Sequence, residues 1–333
     1  MATKGKHKRI AIITDGGLSM GMGHVYRTLS LADNLLAFAQ IEFVTQSGDI
    51  VVQKVKDSGF SVSKFNNEEE IQHYLAYRNP DVVVIDKLDV APCFSRYIKE
   101  TLKAKVVIFG NLSLGNRYAD VVVNAIIGTD FKNRSFFDKS TRTLYLQGPK
   151  YLVLRDEFYE NTKQCVYRAN LRNVLLIFGG SDPANLSCKV LRKIFRMEHN
   201  LKVDIVLGPQ FGFISELNNI LELADKSRDD VAIHYDVDNV SHFMLNSDLV
   251  MTSGGTTMFE AFCLGLPTIA FYQNELQKVM FKGFIMTYDL AEIRDFESFV
   301  LSIYKAYHQH KRDIDALDVG GGKREILKSI LEA

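Results

Sequence analysis

The chain has 333 residues, with 40 Lys+Arg balanced by 40 Asp+Glu and a sequence pI near 7.1. That length suits two domains of ordinary size, each able to bury its own core. Zero net charge excludes the basic footprint of a nucleic-acid or anionic-membrane protein, and no stretch reaches the roughly 18 apolar residues of a membrane span. The short run Lys4, Lys6, Lys8 and Arg9 leads straight into a strand, without the apolar segment of a signal peptide. The four cysteines, Cys93, Cys165, Cys188 and Cys263, lie far apart with no CxxC spacing, which reads as reduced thiols in a cytoplasmic protein.

In chain order, Arg9–Thr14 is a β-branched run of the kind buried on both faces of a parallel sheet. It ends at Asp15 and opens into a glycine-rich loop that closes on Gly21-Met-Gly23. A helical period follows through Val25, Leu29, Ala32 and Leu36. Strands at 41–45, 81–86, 105–109 and 120–124 alternate with helices at 51–59 and 68–78. After Gly148-Pro149 the pattern restarts. A strand at 173–178 runs into Gly179-Gly180-Ser181-Asp182, a helix continues to about Arg196, and further strands follow at 201–207, 231–235, 249–252 and 268–272. Strands alternating with helices predict α/β architecture, with two Rossmann-like doubly wound domains facing across a cleft.

Two loops stand out. Ser253-Gly254-Gly255 separates an apolar strand from a helix beginning near Thr256. Glycines let the backbone approach a ligand closely, and a helix N-terminus adds free amides and partial positive charge, which suits a phosphate. Glu260, just over one turn into that helix on an apolar stretch, is placed to accept from the hydroxyls of a ribose. The alternative is a plain βα turn with a solvated glutamate. In the first half, Gly21, Gly23, His24 and Arg27 bring a histidine to a helix start at the carboxyl edge of the sheet, where ligands bind in such folds. The positive end of a helix disfavours a second proton on an imidazole, so His24 suits a general base and Arg27 an anionic ligand. The opposing reading is a helix-capping histidine and a surface arginine. Neither loop is a dinucleotide fingerprint or a Walker loop. The eight histidines are scattered, so no metal and no cofactor is expected.

These residues resemble the PseG/SpsG family of UDP-sugar hydrolases, GT-B folds related to the MurG type of glycosyltransferase. Asp15 with Gly21-Met-Gly23-His24-Val-Tyr-Arg27 is similar to the family's Asp…Gly-x-Gly-His-x-x-Arg entry segment. Gly148-Pro-Lys-Tyr151…Leu154-Arg155-Asp-Glu157-Phe158 is similar to its inter-domain stretch. Phe178-Gly-Gly180-Ser181-Asp182, Ser253-Gly254-Gly255-Thr256…Glu260…Gly265-Leu-Pro267 and the pair Asn274…Gln277 match its second domain. Asp318-Val-Gly-Gly-Gly-Lys-Arg324 matches its closing motif before a last helix.

The resemblance implies metal-independent, inverting hydrolysis of a UDP-linked amino sugar at its anomeric carbon, as in pseudaminic acid synthesis. It makes His24 and Asp15 catalytic. It places Gly21, Gly23, Arg27, Asp86, Tyr151, Gly180, Ser181, Ser253, Gly254, Gly255, Thr256, Glu260, Asn274 and Gln277 around the substrate. Which of Asp15, Asp86 or Tyr151 assists His24 is left open by sequence order. The implied domains are 1–148 and 149–310, with a last helix at 311–333 packing back on the first, and a state of monomer or weak dimer. Three departures fall on the sugar side: Ile13 in place of an arginine, Asp86-Lys87-Leu88 in place of Asp-x-Tyr, and Phe109-Gly110-Asn111-Leu112 in place of Ile-Asp-Asp-Leu. Two rival readings follow, a GT-B glycosyltransferase with a UDP-sugar donor and a non-catalytic nucleotide-sugar binder.

Overall fold

A computed structural model describes residues 7–17, 21–126, 131–162, 167–223 and 230–332. Cys165, Lys4 and Lys6, and residues 18–20 of the first glycine loop lie outside the described residues. The chain divides into two compact units, Met1–Arg155 with Gly320–Ala333, and Asp156–Val319. The boundary thus falls after Arg155 rather than after 148, and the chain returns to the first unit at Gly320 rather than at 311.

The first unit runs β1 (Lys8–Thr14), α1 (Gly23–Leu35), β2 (Ala39–Thr45), α2 (Asp49–Asp57), β3 (Ser61–Lys64), α3 (Glu68–Arg78), β4 (Val82–Asp86), α4 (Pro92–Arg96), β5 (Lys105–Phe109), β6 (Val121–Asn124), β7 (Arg134–Asp138) and β8 (Thr143–Gln147). Its eight strands are ordered β3-β2-β1-β4-β5-β6-β8-β7. All pair in parallel except β7, which runs antiparallel to β8. The central strands β1 and β4 are covered on both faces, which is why they read as unbroken apolar runs. The short, half-polar β3 and the exposed β7 carry no such run and gave no strand signal in the sequence.

The second unit runs α5 (Asp156–Glu160), β9 (Asn173–Ile177), α6 (Leu186–Ile194), β10 (Lys202–Leu207), α7 (Ile214–Glu222), β11 (Asp230–Tyr235), α8 (Val240–Leu245), β12 (Leu249–Ser253), α9 (Thr256–Leu264), β13 (Thr268–Phe271), α10 (Glu275–Phe281), β14 (Thr287–Tyr288) and α11 (Phe296–Ala316). Its sheet is ordered β11-β10-β9-β12-β13-β14, with every pair parallel. Two Rossmann-like domains are therefore present, each with its own core. Strand order reverses between β1 and β4 in the first sheet and between β9 and β12 in the second. Such switch points, at the carboxyl ends of the strands, are where open α/β sheets bind ligands.

The last helix, α12 (Lys323–Leu331), belongs to the first unit, where Ile326 and Ile330 join the core beside Ile10 and Val84. The return is stitched by Gly320 and Gly322 amides donating to the carbonyls of Pro149 and Lys150 at 3.2 and 2.8 Å. A Cβ at Gly322 would sit 2.5 Å from the Tyr151 ring, so the closing glycine lets the chain pass against that aromatic face.

Candidate functional site

At the first switch point, β1 and β4 end side by side, with Thr14 paired to Asp86. Asp86 is wholly out of solvent. His24, on the first turn of α1, has Nδ1 2.6 Å from Asp86 Oδ1. The Arg27 guanidinium grips the same carboxylate with both arms, Nε to Oδ2 and Nη2 to Oδ1, each at 2.6 Å. This fork is the strong, bidentate form of a charge-assisted pair. Arg27 Nη2 also lies 3.1 Å from His24 Nδ1. A carboxylate only accepts and a guanidinium only donates. Nδ1 at 2.6 Å from Asp86 therefore carries the proton, and the Arg27–His24 approach is a contact of two donors sharing one acceptor. That tautomer leaves the Nε2 lone pair free to take a proton.

The charges follow from this geometry. Burial alone would raise the Asp86 carboxyl, but the Arg27 charge and the hydrogen bonds from His24 and Arg27 outweigh it and hold the group below the usual carboxylate range. Burial likewise works against charge on Arg27, and Asp86 overrides it, so the guanidinium stays above its ordinary value. His24 keeps 14% side-chain exposure beside the buried carboxylate. Of the three groups left open by sequence order, Asp86 is the one bonded to His24.

Asp15 and Tyr151 do other work. Asp15 Oδ1 accepts from Thr45 Oγ1, the Gln46 amide and Ser47 Oγ at 3.1, 2.8 and 3.1 Å, and its Oδ2 lies 3.5 Å from Lys87 Nζ. It ties the carboxyl ends of β1 and β2 together, whereas the carboxylate bonded to His24 is that of Asp86. Tyr151 is buried, its hydroxyl donating to Glu325 Oε2 of α12 at 3.0 Å. Its place is in the seam that holds the returning helix. Arg27, expected to meet an anionic ligand, finds its anion in Asp86. Gly17 and Gly21 exchange backbone hydrogen bonds at 3.1 and 2.7 Å, and both have positive φ, which requires glycine there. Gly23 opens α1, whose first turn receives no side-chain cap.

At the second switch point the chemistry lies in the backbone. Ser253 ends β12 with its side chain buried, and Gly254 donates to the Phe271 carbonyl at 3.3 Å. Gly255, the N-cap of α9, has no side chain to offer, so the first-turn amides from Thr256 onward receive no side-chain cap. Glu260 lies one turn further, only 7% exposed. Across the same switch point, β9 leads into Gly179, Gly180 and Ser181, and the buried Asp182 closes the loop by accepting from the Leu186 and Ser187 amides at 2.8 Å each. Burial, set against those bonds, raises the Asp182 carboxyl above its ordinary value. The Asn274 and Gln277 side-chain oxygens cap α10, accepting from the Gln277 and Gln273 amides at 2.9 Å each. Only their NH2 groups are left over from that cap.

Sequence reasoning noted Lys87 only within the Asp86-Lys87-Leu88 departure, with no role assigned, and missed Gly208. Lys87 Nζ reaches Gln46 Oε1 at 2.6 Å, with Asp15 and Glu68 each 3.5 Å away, and so closes the network beside Asp86. A Cβ on Gly208 would lie 2.4 Å from the Gly180 backbone, so this glycine seats the 179–182 loop. No local signal marks either position. Among the described residues no three His, Cys, Asp or Glu side chains converge as a metal site, and no helix is long and apolar enough to cross a membrane. Among the described residues Cys93, Cys188 and Cys263 form no disulfide.

The fold is shared with solved glycosyltransferases. MurG of Acinetobacter baumannii superposes with a TM-score of 0.64 at 12% identity, covering 97% of this chain and 99% of that one. Anabaena HepE, solved in complex with UDP, superposes at 0.53 with 11% identity, covering 98% and 96%. These define a two-domain protein of the GT-B class. In sequence, an uncharacterized protein of Methanocaldococcus jannaschii is 42% identical over 328 residues, which is 97% of this chain and 66% of that protein's length. The spore coat polysaccharide biosynthesis protein SpsG of Bacillus subtilis is 26% identical over 277 residues, 83% of this chain and 80% of that one. No family model matches. The chain is therefore similar to SpsG over most of its length and shares the GT-B fold of MurG.

Proposed function

We propose that this protein hydrolyses a UDP-linked amino sugar at its anomeric carbon, with inversion, in surface-polysaccharide or nonulosonic-acid biosynthesis. The observation that carries the reading is the His24–Asp86–Arg27 arrangement, an imidazole held through Nδ1 by a buried carboxylate that an arginine also grips. In the reaction the oxygen of a water attacks the anomeric carbon while His24 Nε2 takes the water's proton. The bond from that carbon to the phosphate oxygen breaks, and its electron pair leaves on UDP. Asp86 stabilises the imidazolium formed, as a buried carboxylate does for a general-base histidine. The uncapped amides of α9 take the diphosphate charge, and Glu260 takes the ribose. The name of the Bacillus relative and the UDP bound by HepE support a UDP-sugar and a polysaccharide pathway.

A second reading has its own support. Leu88, Leu112 and Leu114 are 62%, 72% and 61% exposed in the segments after β4, which ends at Asp86, and after β5, where Gly110 lies against Arg27. Apolar surface there suits an acceptor with an apolar portion, to which the same histidine would direct transfer.

Proton NMR of the protein with a panel of UDP-N-acetylated amino sugars tests both. The expected result is UDP plus free sugar of inverted anomeric configuration, slowed about a hundredfold or more in His24→Ala. UDP binding by calorimetry without sugar release would sink hydrolysis and favour transfer. No UDP binding would remove the nucleotide assignment as well.

A further inference from the structure

Gly110 follows β5 with φ +66, and the three atoms nearest to a Cβ built there all belong to Arg27: Nη2 at 2.7 Å, Cζ at 3.4 Å and Nη1 at 3.5 Å. The guanidinium, Nη2 foremost, therefore occupies the space beside the bare Cα. At the free end of an exposed arginine such a clash would be relieved by a small swing. Here the guanidinium is pinned by both arms to a carboxylate wholly out of solvent. The backbone at this point is held as firmly. The Gly110 amide donates to the Val123 carbonyl at 2.9 Å. The next residue, Asn111, is only 6% exposed. Its Nδ2 donates to the Lys87 carbonyl at 3.0 Å, and its own carbonyl accepts from the Asn116 and Asn124 side-chain amides at 3.0 and 2.9 Å. With strand and loop clamped, an added side chain displaces Arg27.

We infer that Gly110 is a positioning residue: its missing side chain is the seat on which the Arg27 guanidinium lies while it and His24 share Asp86. Displacing the guanidinium opens the fork. Asp86 then turns toward its remaining donors, and the His24 ring, bonded to the same oxygen as Arg27 Nη2, moves with it. The sensitivity expected of a base is high, since a misplacement near 1 Å costs on the order of a hundredfold in rate. The catalytic part of this inference rests on the reading of His24 as the base; the structural part, that Gly110 sets the His24–Asp86 bond through Arg27, does not.

The test is Gly110→Ala compared with Gly59→Ala. Gly59 also has positive φ, +85, but a Cβ there meets nothing within 4 Å, so it reports the backbone strain alone. In 15N-labelled protein, the His24 ring resonances and its Nδ1 proton are read by NMR, alongside kcat and KM for whichever UDP-sugar is turned over. The expected result is a shifted or lost Nδ1 proton and a kcat at least about tenfold lower at little-changed KM in Gly110→Ala, with neither change in Gly59→Ala. Gly110→Asn provides a second variant, because asparagine tolerates the left-handed region yet carries the same Cβ; it is expected to move the His24 signals equally. A Gly110 variant whose His24 signals match the wild type overturns the inference. If the wild-type protein turns over no UDP-sugar, the hydrolase reading falls, while the His24 signals still decide the role of Gly110.

Discussion

At the switch point of the first unit, one buried carboxylate is shared by a histidine and an arginine. At that of the second, the loop is Ser253-Gly254-Gly255-Thr256, and what it offers is a helix start without a side-chain cap. The fold places both loops alike, at the carboxyl ends of adjoining central strands, yet the two fill the position by opposite means. A side-chain site concentrates charge and fails when one partner is removed. A backbone site depends on empty space and fails when something fills it. The difference suits the tasks proposed for them, since proton transfer needs a group that changes protonation, whereas holding a diphosphate needs fixed donors that cost no reorganisation.

The largest effect expected anywhere in the chain follows from the first half of that contrast. Asp86→Ala leaves the Arg27 charge buried without its partner, and breaking such a pair costs about 3–5 kcal/mol. Urea denaturation measures it, and a loss under 1 kcal/mol would mean that the pair is solvated rather than buried. Asp86→Asn sharpens the point through pH. The folded-state carboxyl lies below its unfolded value, which is near 3.9. Its contribution is therefore fully present above pH about 4 and fades as pH falls through the folded value. The stability gap between wild type and Asp86→Asn is expected to narrow as pH falls below about 4. A gap that widens below that pH would reverse the assigned sign.

The same contrast explains how much could be read from the sequence. The glycine loops and the strands feeding them were legible, because β-branched runs and Gly-Gly turns are local signals. His24 was legible from its place after Gly21-Met-Gly23. Its partner was not. Asp15 lies nearer in sequence and sits at the end of β1, but parallel pairing brings Asp86 of β4 beside the same strand end, and the register decides which carboxylate meets the imidazole. Tyr151 stood out by motif, yet its motif serves the seam with α12. Asn274 and Gln277 likewise cap a helix. Gly208 had no signal at all, being defined only by the chain that passes across it.

That last glycine gives a middle-sized effect in the second unit. Gly208→Ala places a Cβ 2.4 Å from the Gly180 backbone, where no flexible side chain can yield. Overpacking of this kind costs about 1–3 kcal/mol. The 179–182 loop is expected to shift, and UDP affinity to fall with it. Unchanged stability in thermal melts would mean that the loop moves freely, and the seat assigned to Gly208 would be lost.

The smallest change in stability is the most telling, because stability and function are expected to move in opposite directions. Gly255 caps α9 in an extended conformation that any residue adopts, and a Cβ there meets nothing within 4 Å. Gly255→Asp supplies the missing cap and a negative charge at the positive end of the helix. Together these are expected to stabilise the fold by a few tenths to about 1 kcal/mol. If those amides are where the diphosphate sits, the same carboxylate occupies them and repels the phosphates. Like-charge juxtaposition costs several kcal/mol, so UDP binding should weaken by about a hundredfold or more. Calorimetry with UDP, run beside thermal melts, reads both. A more stable protein that no longer binds UDP would mean that the empty cap is kept for a ligand. A more stable protein that binds UDP as before would move the nucleotide away from α9 and leave Gly255 as an ordinary tight turn.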